Sequence, residues 1–128
     1  MQEKQLFEYA VIRVVPRVER EEFLNVGVIL YCRQKKSLQC LYTLDVQRLK
    51  VFCPLADAEE IESNLASFKR ICIGTKDSGP IGKLDVASRF RWLTATRSTI
   101  VQSSKVHPGF CVDEDETLKR LFTQLVLE

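Results

Sequence analysis

The hydrophobic pattern of the first third of the chain predicts three strands. Residues 7–15 are rich in β-branched and aromatic side chains and are apolar at both odd and even positions, which is typical of a strand inside a sheet. Residues 24–31 and 38–44 have a similar character, and the polar segment 33–36 separates them. We therefore expect a central first strand followed by a β-hairpin with a loop of about four residues.

Apolar positions at helical spacing predict helices in the rest of the chain. The helices are expected to begin at Asp45, Asp57, Asp85 and Asp113, because aspartate accepts hydrogen bonds from the free N–H groups of a first helical turn. The second helix should end at Gly74. Between these helices, the pattern predicts a loop at 75–82, a short fourth strand at 99–103 and a turn at 108–109.

This order of elements predicts an α+β fold. We expect an antiparallel sheet of about four strands, with helices packed mainly on one face. The 128 residues, of which 45% are hydrophobic, suit one domain over residues 1–128. Five cysteines without a Cys-x-x-Cys pair indicate reduced thiols, and the N-terminus lacks a signal peptide. These features predict a cytoplasmic protein that is not bound to a membrane.

A basic segment carries the most distinctive chemistry of the sequence. Residues 86–112 contain neither Asp nor Glu, although the chain has 17 acidic residues, and they include the single Trp and the single His. Their four cations exceed the net charge of +2 for the whole chain, so the basic character is local. A patch that grips one ligand fits this distribution better than a surface that coats nucleic acid.

We predict that an anion binds in this segment. Arginine presents a planar fork that holds phosphate or carboxylate at two points, and hydroxyl groups can complete the shell of an oxyanion. The candidate ligand-binding residues are Arg89, Arg91, Arg97, Ser98, Thr99 and His107. The alternative is that the arginines form ion pairs with acidic residues elsewhere, such as those at 113–116.

Further candidate residues each have a structural alternative. Asn25 and Gly27 are candidates to support a site beside the hairpin, but a bulge that needs Gly for steric reasons is the favoured explanation of Gly27. His107 can titrate near neutrality and serve as a general base, whereas a His beside Pro-Gly also caps turns. One His with scattered cysteines does not supply a conventional zinc site. The sequence therefore predicts no metal site, no cofactor and no named catalytic residue.

Two signatures in the chain resemble a bacterial family known as domain of unknown function 3037. The N-terminal signature lies at residues 9–16 and 22–28, and the C-terminal signature is Arg-Phe-Arg-Trp-Leu-Thr-Ala-Thr-Arg-Ser-Thr at 89–99 with His-Pro-Gly at 107–109. One departure is Thr96, where the family pattern has Pro. The resemblance spans nearly the whole chain. It implies a small bacterial cytoplasmic protein, often encoded beside a kinase similar to the HipA type.

Three hypotheses about function follow. The first is an accessory or regulatory domain that binds a protein partner, for which the resemblance suggests a HipA-like kinase. The second is a site for a phosphate-bearing ligand, a nucleotide or nucleic acid, in residues 89–107. The third is an enzyme that uses His107 with the arginines. Because no specific catalytic motif is present, the residue pattern favours a role without catalysis.

Overall fold

The first strand lies inside the sheet, as its apolar faces predict. A computed structural model describes residues 3–128, and its strands are β1 (Gln5–Val14), β2 (Leu24–Cys32), β3 (Ser37–Tyr42), β4 (Val101–Ser103) and β5 (His107–Cys111). All pairings are antiparallel. The order β3-β2-β1 continues with β4 and β5, which both pair with the free side of β1.

A bulge interrupts the pairing of β1 with β2. Ile12 lies opposite Gly27, whereas Arg13 lies opposite Asn25, so Val26 is the additional residue. A Cβ atom at Gly27 would lie 2.4 Å from the carbonyl oxygen of Leu41. The steric explanation of Gly27 is therefore sufficient, because only Gly lets β3 approach so closely.

The edge formed by β4 and β5 is a strand broken at one buried serine. The hydroxyl of Ser104 accepts a 2.8 Å hydrogen bond from the N–H of Val11, and the N–H of Ser104 donates to the Val11 carbonyl at 2.8 Å. The Ser104 hydroxyl also donates to the Lys105 carbonyl. This side chain therefore replaces a backbone partner where the ladder is interrupted.

The predicted turn at Pro108 and Gly109 is wrong, because both residues lie in β5. Gly109 stands opposite Phe7, and a Cβ atom there would lie 2.5 Å from the Phe7 ring. Proline lacks an N–H and is tolerated in edge strands. Gly109 thus leaves space for the Phe7 ring, and Pro108 lies in an edge strand. The two residues do not reverse the chain.

The helices begin and end close to the predicted residues. They are α1 (Val46–Phe52), α2 (Ala58–Ile73), α3 (Gly79–Gly82), α4 (Val86–Leu93) and α5 (Glu114–Phe122), and a π-helical turn (Thr123–Leu127) follows α5. Aspartates cap α1, α2, α4 and α5 by accepting backbone N–H groups of the first turn. Gly74 ends α2 with φ of 80°. The loop predicted at 75–82 differs in that its last four residues form the short helix α3, with Pro80 in its first turn.

Helices cover both faces of the sheet. The larger core joins Ile12 and Ile29 to side chains of α1, α2 and α4, including Leu65 and Phe90. The smaller core joins Val28 and Leu30 to α5 and the π-helical turn. We call these sides the α2 face and the α5 face. The predicted α+β class with an antiparallel sheet is confirmed, and three of the longer helices share one face.

Candidate functional site

Arg91 is bound to an acidic residue of the same chain. Its two terminal nitrogens donate to the two carboxylate oxygens of Glu8 at 3.0 and 3.1 Å. This hydrogen bonding raises the pKa of Arg91. Alternate residues of a strand lie on the same face of the sheet, and Ala10 and Ile12 belong to the larger core. Glu8 therefore lies on the α2 face together with its partner Arg91. The positive charge of Arg91 is thus neutralised without a ligand.

Arg89 lies on a different side of α4. Its Nη1 donates to the Leu84 carbonyl at 2.7 Å. A Cβ atom at Gly74 would lie 3.2 Å from Arg89 Cζ, so the guanidinium lies against the C-terminal end of α2. A cation at this end of a helix is favourable because the last carbonyl groups carry partial negative charge. The contacts of Arg89 therefore hold α4 against the end of α2.

Arg97 stacks on Trp92. The Arg97 Cζ atom lies 3.7 Å from the centre of the Trp92 ring system, which is a close cation–π contact. Partial burial lowers the pKa of Arg97, and its Nη2 is buried without a hydrogen-bond partner among residues 3–128. The neighbouring Thr99 hydroxyl donates to the Val101 carbonyl at 2.7 Å. Ser98 is exposed, so an anion at this point would meet Arg97 and Ser98 first.

His107 lies on the opposite side of the sheet from Arg91. It pairs with Tyr9 across the strands, and the two rings are 5.3 Å apart on the α5 face. Cys111 is four residues further along β5 on the same face, which is about 13 Å away in a strand. The six residues predicted to bind an anion are therefore not assembled at one point.

Asn25 lies beside a cavity at the start of β2. Its Nδ2 donates to the Leu125 carbonyl at 3.3 Å, whereas its Oδ1 is buried and finds no partner within the part of the chain that the structure describes. The cavity has a volume of about 360 Å³. Its lining residues come from separate segments of the chain and are Leu24, Asn25, Val26, Thr43, Leu44, Asp45, Arg48, Val126 and Leu127.

The charged side chains of this cavity remain separate. Asp45 caps α1 by accepting the backbone N–H of Arg48 at 3.1 Å. Within residues 3–128, the Arg48 guanidinium and the Asp45 carboxylate form no ion pair with each other or with another side chain. The β2 cavity, as we call it, therefore has one cationic and one anionic side chain among its lining residues, whereas the unpaired amide oxygen of Asn25 is enclosed by protein.

Arg13 is a half-buried cation that sequence reasoning missed. It stands between Asn25 and Gln102 on neighbouring strands, and its guanidinium lies 3.9 Å from the centre of the Phe23 ring. Its Nε is buried, and none of the described residues accepts a hydrogen bond from it. The sequence signal that could have identified it is the position of this arginine in the middle of the apolar run at 7–15.

A comparison with protein-family models assigns the chain to a family. The model described as a protein of unknown function, DUF3037, matches residues 9–126, which is nearly the whole chain. The chain belongs to the DUF3037 family. The comparisons with curated proteins and with solved structures found no match. The residues matched to the DUF3037 family include both signatures and all but one of the residues that line the β2 cavity.

A second concave surface of this DUF3037 domain lies beside the end of α1. The cavity measures about 590 Å³, and apolar atoms of Cys53, Ile61 and Ile100 contribute to its lining. Leu55 forms part of its rim and is 96% exposed. We call this cavity, with Leu55 on its rim, the α1 groove. An exposed aliphatic side chain beside an apolar cavity is available for a partner to cover.

The thiols of this DUF3037 domain form no cluster with its acidic groups within the described residues 3–128. Among residues 3–128, no three His, Cys, Asp or Glu side chains are close enough together to hold a metal ion. All five cysteines are free, and Cys40 and Cys72 are in contact within the larger core. The contact with Cys40 and burial raise the pKa of Cys72. No helix in the described range is long and apolar enough to cross a membrane.

Proposed function

We propose that this member of the DUF3037 family is an accessory domain that binds a protein partner through the α1 groove. The observation that carries the proposal is the exposure of Leu55 on the rim of a cavity whose lining includes Cys53, Ile61 and Ile100. Burying such a side chain in a complex contributes favourable free energy, at roughly 25 cal/mol per Å² of apolar surface. The resemblance noted from the sequence suggests a HipA-like kinase as the partner.

Charge around the groove defines what the partner should present. Arg17 on the rim is already paired with Glu19 at 3.0 Å, and Asp57 caps α2 by accepting the N–H of Glu60. The Glu60 carboxylate, also on the rim, has no cationic side chain within 4.0 Å in the described structure. We therefore expect the partner to insert an apolar side chain and to place a basic group near Glu60.

The proposal is tested by measuring binding to a HipA-like kinase, the partner that the resemblance suggests. Leu55→Gln should weaken binding by about tenfold or more, as expected for an anchor at the centre of an interface. Ile73→Gln is the matched control, because Ile73 is also an exposed aliphatic residue but lies at the far end of α2. Equal affinities for the two variants, or no complex with the kinase, would contradict the proposal.

A second candidate function is the binding of a phosphate-bearing ligand at Arg97. It is favoured by the half-buried guanidinium of Arg97, which has no carboxylate within 4.0 Å among residues 3–128, and by the exposed Ser98 next to it. Titration with nucleotides and short oligonucleotides should change the fluorescence of Trp92, because Arg97 stacks on that ring. Arg97→Gln should abolish the change, and Arg33→Gln, in the hairpin turn, is the control. An unchanged signal in the original protein would reject this candidate.

The catalytic hypothesis has the least support of the three. His107 contacts the Tyr9 ring and lies on the face opposite Arg91. A general base requires a reacting group within hydrogen-bond reach. Neither the arginines of α4 nor Cys111 supplies such a group near His107.

A further inference from the structure

The two edges of the sheet are protected to different degrees. The edge formed by β4 and β5 is interrupted at Ser104, exposes Lys105 beside the break and contains Pro108. Breaks, lysine and proline are features that keep an edge strand from pairing with another chain. The opposite edge is β3, whose residues Ser-Leu-Gln-Cys-Leu-Tyr include no charged residue, glycine or proline. β3 is therefore the edge at which a further strand can be added.

The backbone of β3 has hydrogen-bonding groups on its outer side. The N–H of Thr43 donates to the Val26 carbonyl at 2.8 Å, and the register of β3 with β2 has no shift along the strand. Because the backbone groups of an antiparallel strand alternate between its two sides, those of Leu38, Cys40 and Tyr42 point away from β2. Within residues 3–128 no strand pairs with this side of β3. Three N–H groups and three carbonyl groups are thus in position to bind another strand.

The side chains of β3 are already held within their own chain. On the α2 face, the Tyr42 hydroxyl donates to Glu62 at 2.9 Å, and Cys40 belongs to the larger core. On the α5 face, the Gln39 amide donates to Asp115 at 2.7 Å. These contacts use no backbone group of the strand. Pairing at this edge therefore needs little further ordering of side chains, which lowers the entropic cost of association.

The charges at the two ends of β3 have opposite sign. The turn before the strand presents three exposed cations, which are Arg33, Lys35 and Lys36. Of these, only Lys35 approaches a carboxylate within residues 3–128, at 4.0 Å. At the other end lie the exposed carboxylates of Asp45 and Glu62, and Arg48 offsets only one of these charges. Such a strand attracts a second copy of itself in the antiparallel direction, because each basic end then meets an acidic end.

We propose that β3 pairs antiparallel with β3 of a second copy of this chain, about a two-fold axis at Cys40. Leu38 of each copy then lies opposite Tyr42 of the other, and the outward N–H and C=O groups of the two strands bond to each other. The two five-stranded sheets become continuous. The contact is the same surface on both copies, so it closes at a dimer. β3 takes no part in lining the α1 groove, so either proposal can fail without the other.

Sedimentation equilibrium tests whether the dimer forms. The mass should approach twice the 14.7 kDa of one chain, with a dissociation constant below about 100 µM. Lys36→Glu should weaken the dimer at least tenfold, because it brings an acidic side chain to the acidic end of the other copy. Lys105→Glu is the matched control, since Lys105 is an exposed lysine at the opposite edge. The mass of a single chain well above about 100 µM, or equal weakening by the two variants, would overturn the proposal.

A proline at the free edge tests the backbone hydrogen bonds. Leu38→Pro removes an outward N–H and places the proline ring toward the second copy, whereas the hydrogen bonds between β3 and β2 remain. Leu38→Ala is the control, because it loses the same side chain and keeps the N–H. Leu38→Pro should dissociate at least tenfold more readily than Leu38→Ala, and equal dissociation would contradict the proposal. Urea denaturation checks that both variants fold, and if Leu38→Pro does not, crosslinking decides alone.

Disulfide crosslinking tests the direction and the register of the pairing. The proposed register places Ser37 of each copy opposite Thr43 of the other, whereas two like positions lie about 20 Å apart at opposite ends of the strands. Oxidised glutathione should therefore link the chains in a mixture of the Ser37→Cys and Thr43→Cys variants. Neither variant alone should be linked, and the original protein is the control for its own cysteines. No link in the mixture, or equal linkage in the separate variants, would overturn the proposal.

Discussion

In the α4 segment, charged residues that are neighbours in sequence lie in different surroundings. At the start of β2, residues that are distant in sequence line one cavity. In α4, Arg89 and Arg91 are two residues apart, so they project about 200° apart around the helix. One binds the Leu84 carbonyl, and the other binds Glu8. At the start of β2, by contrast, one cavity collects side chains from residues 24–26, 43–48 and 126–127.

This difference shows why a dense run of charges is a weak sign of a ligand site. In the basic segment, the helix and the sheet direct Arg89, Arg91 and His107 toward three separate surroundings. Of the residues that line the β2 cavity, the sequence pattern singled out only Asn25, because the others lie in separate segments of the chain. Local charge density therefore indicates a site only when the backbone also makes the side chains converge.

The largest expected effect is the loss of the side chain that anchors α4. Phe90 is fully buried and stacks on Tyr31 with 5.1 Å between ring centres. Phe90→Ala should lower the free energy of unfolding by about 3–5 kcal/mol, because it removes a large buried ring and leaves a cavity. Urea denaturation measures the change. Trp92→Ala, at an outward-facing position of the same helix, is the control and should lower the free energy of unfolding clearly less. Equal losses of stability in the two variants would mean that Phe90 does not hold α4 in place.

The next effect concerns the bulge beside the β2 cavity. Gly27→Ala places a Cβ atom 2.4 Å from the Leu41 carbonyl oxygen and 2.8 Å from the Tyr42 Cβ, so β2 and β3 must move apart. We expect a loss of about 1–3 kcal/mol in the free energy of unfolding, as for other overpacked sites. Gly79→Ala is a control for added volume, because a Cβ there meets nothing within 4 Å, although φ of 77° adds backbone strain. Chemical denaturation of both variants separates steric contact from strain.

The elements predicted best are those specified by neighbouring residues. Asp57 and Gly74 mark the ends of α2 through contacts within four or five residues, and the apolar run of β1 identified its central position. Local reasoning was wrong at Pro108 and Gly109, because the space that Gly109 provides is needed by Phe7, which is far away in sequence. The surroundings of Arg13 and most of the β2 cavity depend on such long-range pairing, so the sequence pattern identified only Asn25 of the cavity.

The ion pair of the α4 segment should have a smaller effect on stability. Arg91 and Glu8 form two hydrogen bonds, but the arginine side chain is mostly exposed, and water and salt weaken such pairs. Arg91→Gln should lower the free energy of unfolding by no more than about 1 kcal/mol. A double-mutant cycle with Glu8→Gln at low and high salt measures the coupling. A coupling that is large and independent of salt would show that the pair acts as a buried one.

The last predicted effect appears only at high pH, at a tyrosine near the bulge. Tyr42 lies opposite Gly27 and donates a 2.9 Å hydrogen bond to Glu62. Burial and this carboxylate raise the pKa of Tyr42 to about 12 from its ordinary value of 10.0. Since the folded state holds the phenol proton more tightly than the unfolded state does, this contribution to stability is complete below pH 10 and is lost as the pH rises toward 12.

Ultraviolet difference spectroscopy of the original protein and of Tyr42→Phe identifies the titration of this phenol. Glu62→Gln should lower the pKa of Tyr42 only in part, because burial is the larger cause. A return to the ordinary value in Glu62→Gln would instead show that the carboxylate alone controls this tyrosine. The pKa of Tyr42 would then measure its contact with α2 and would carry no information about the packing of β3 beside the bulge.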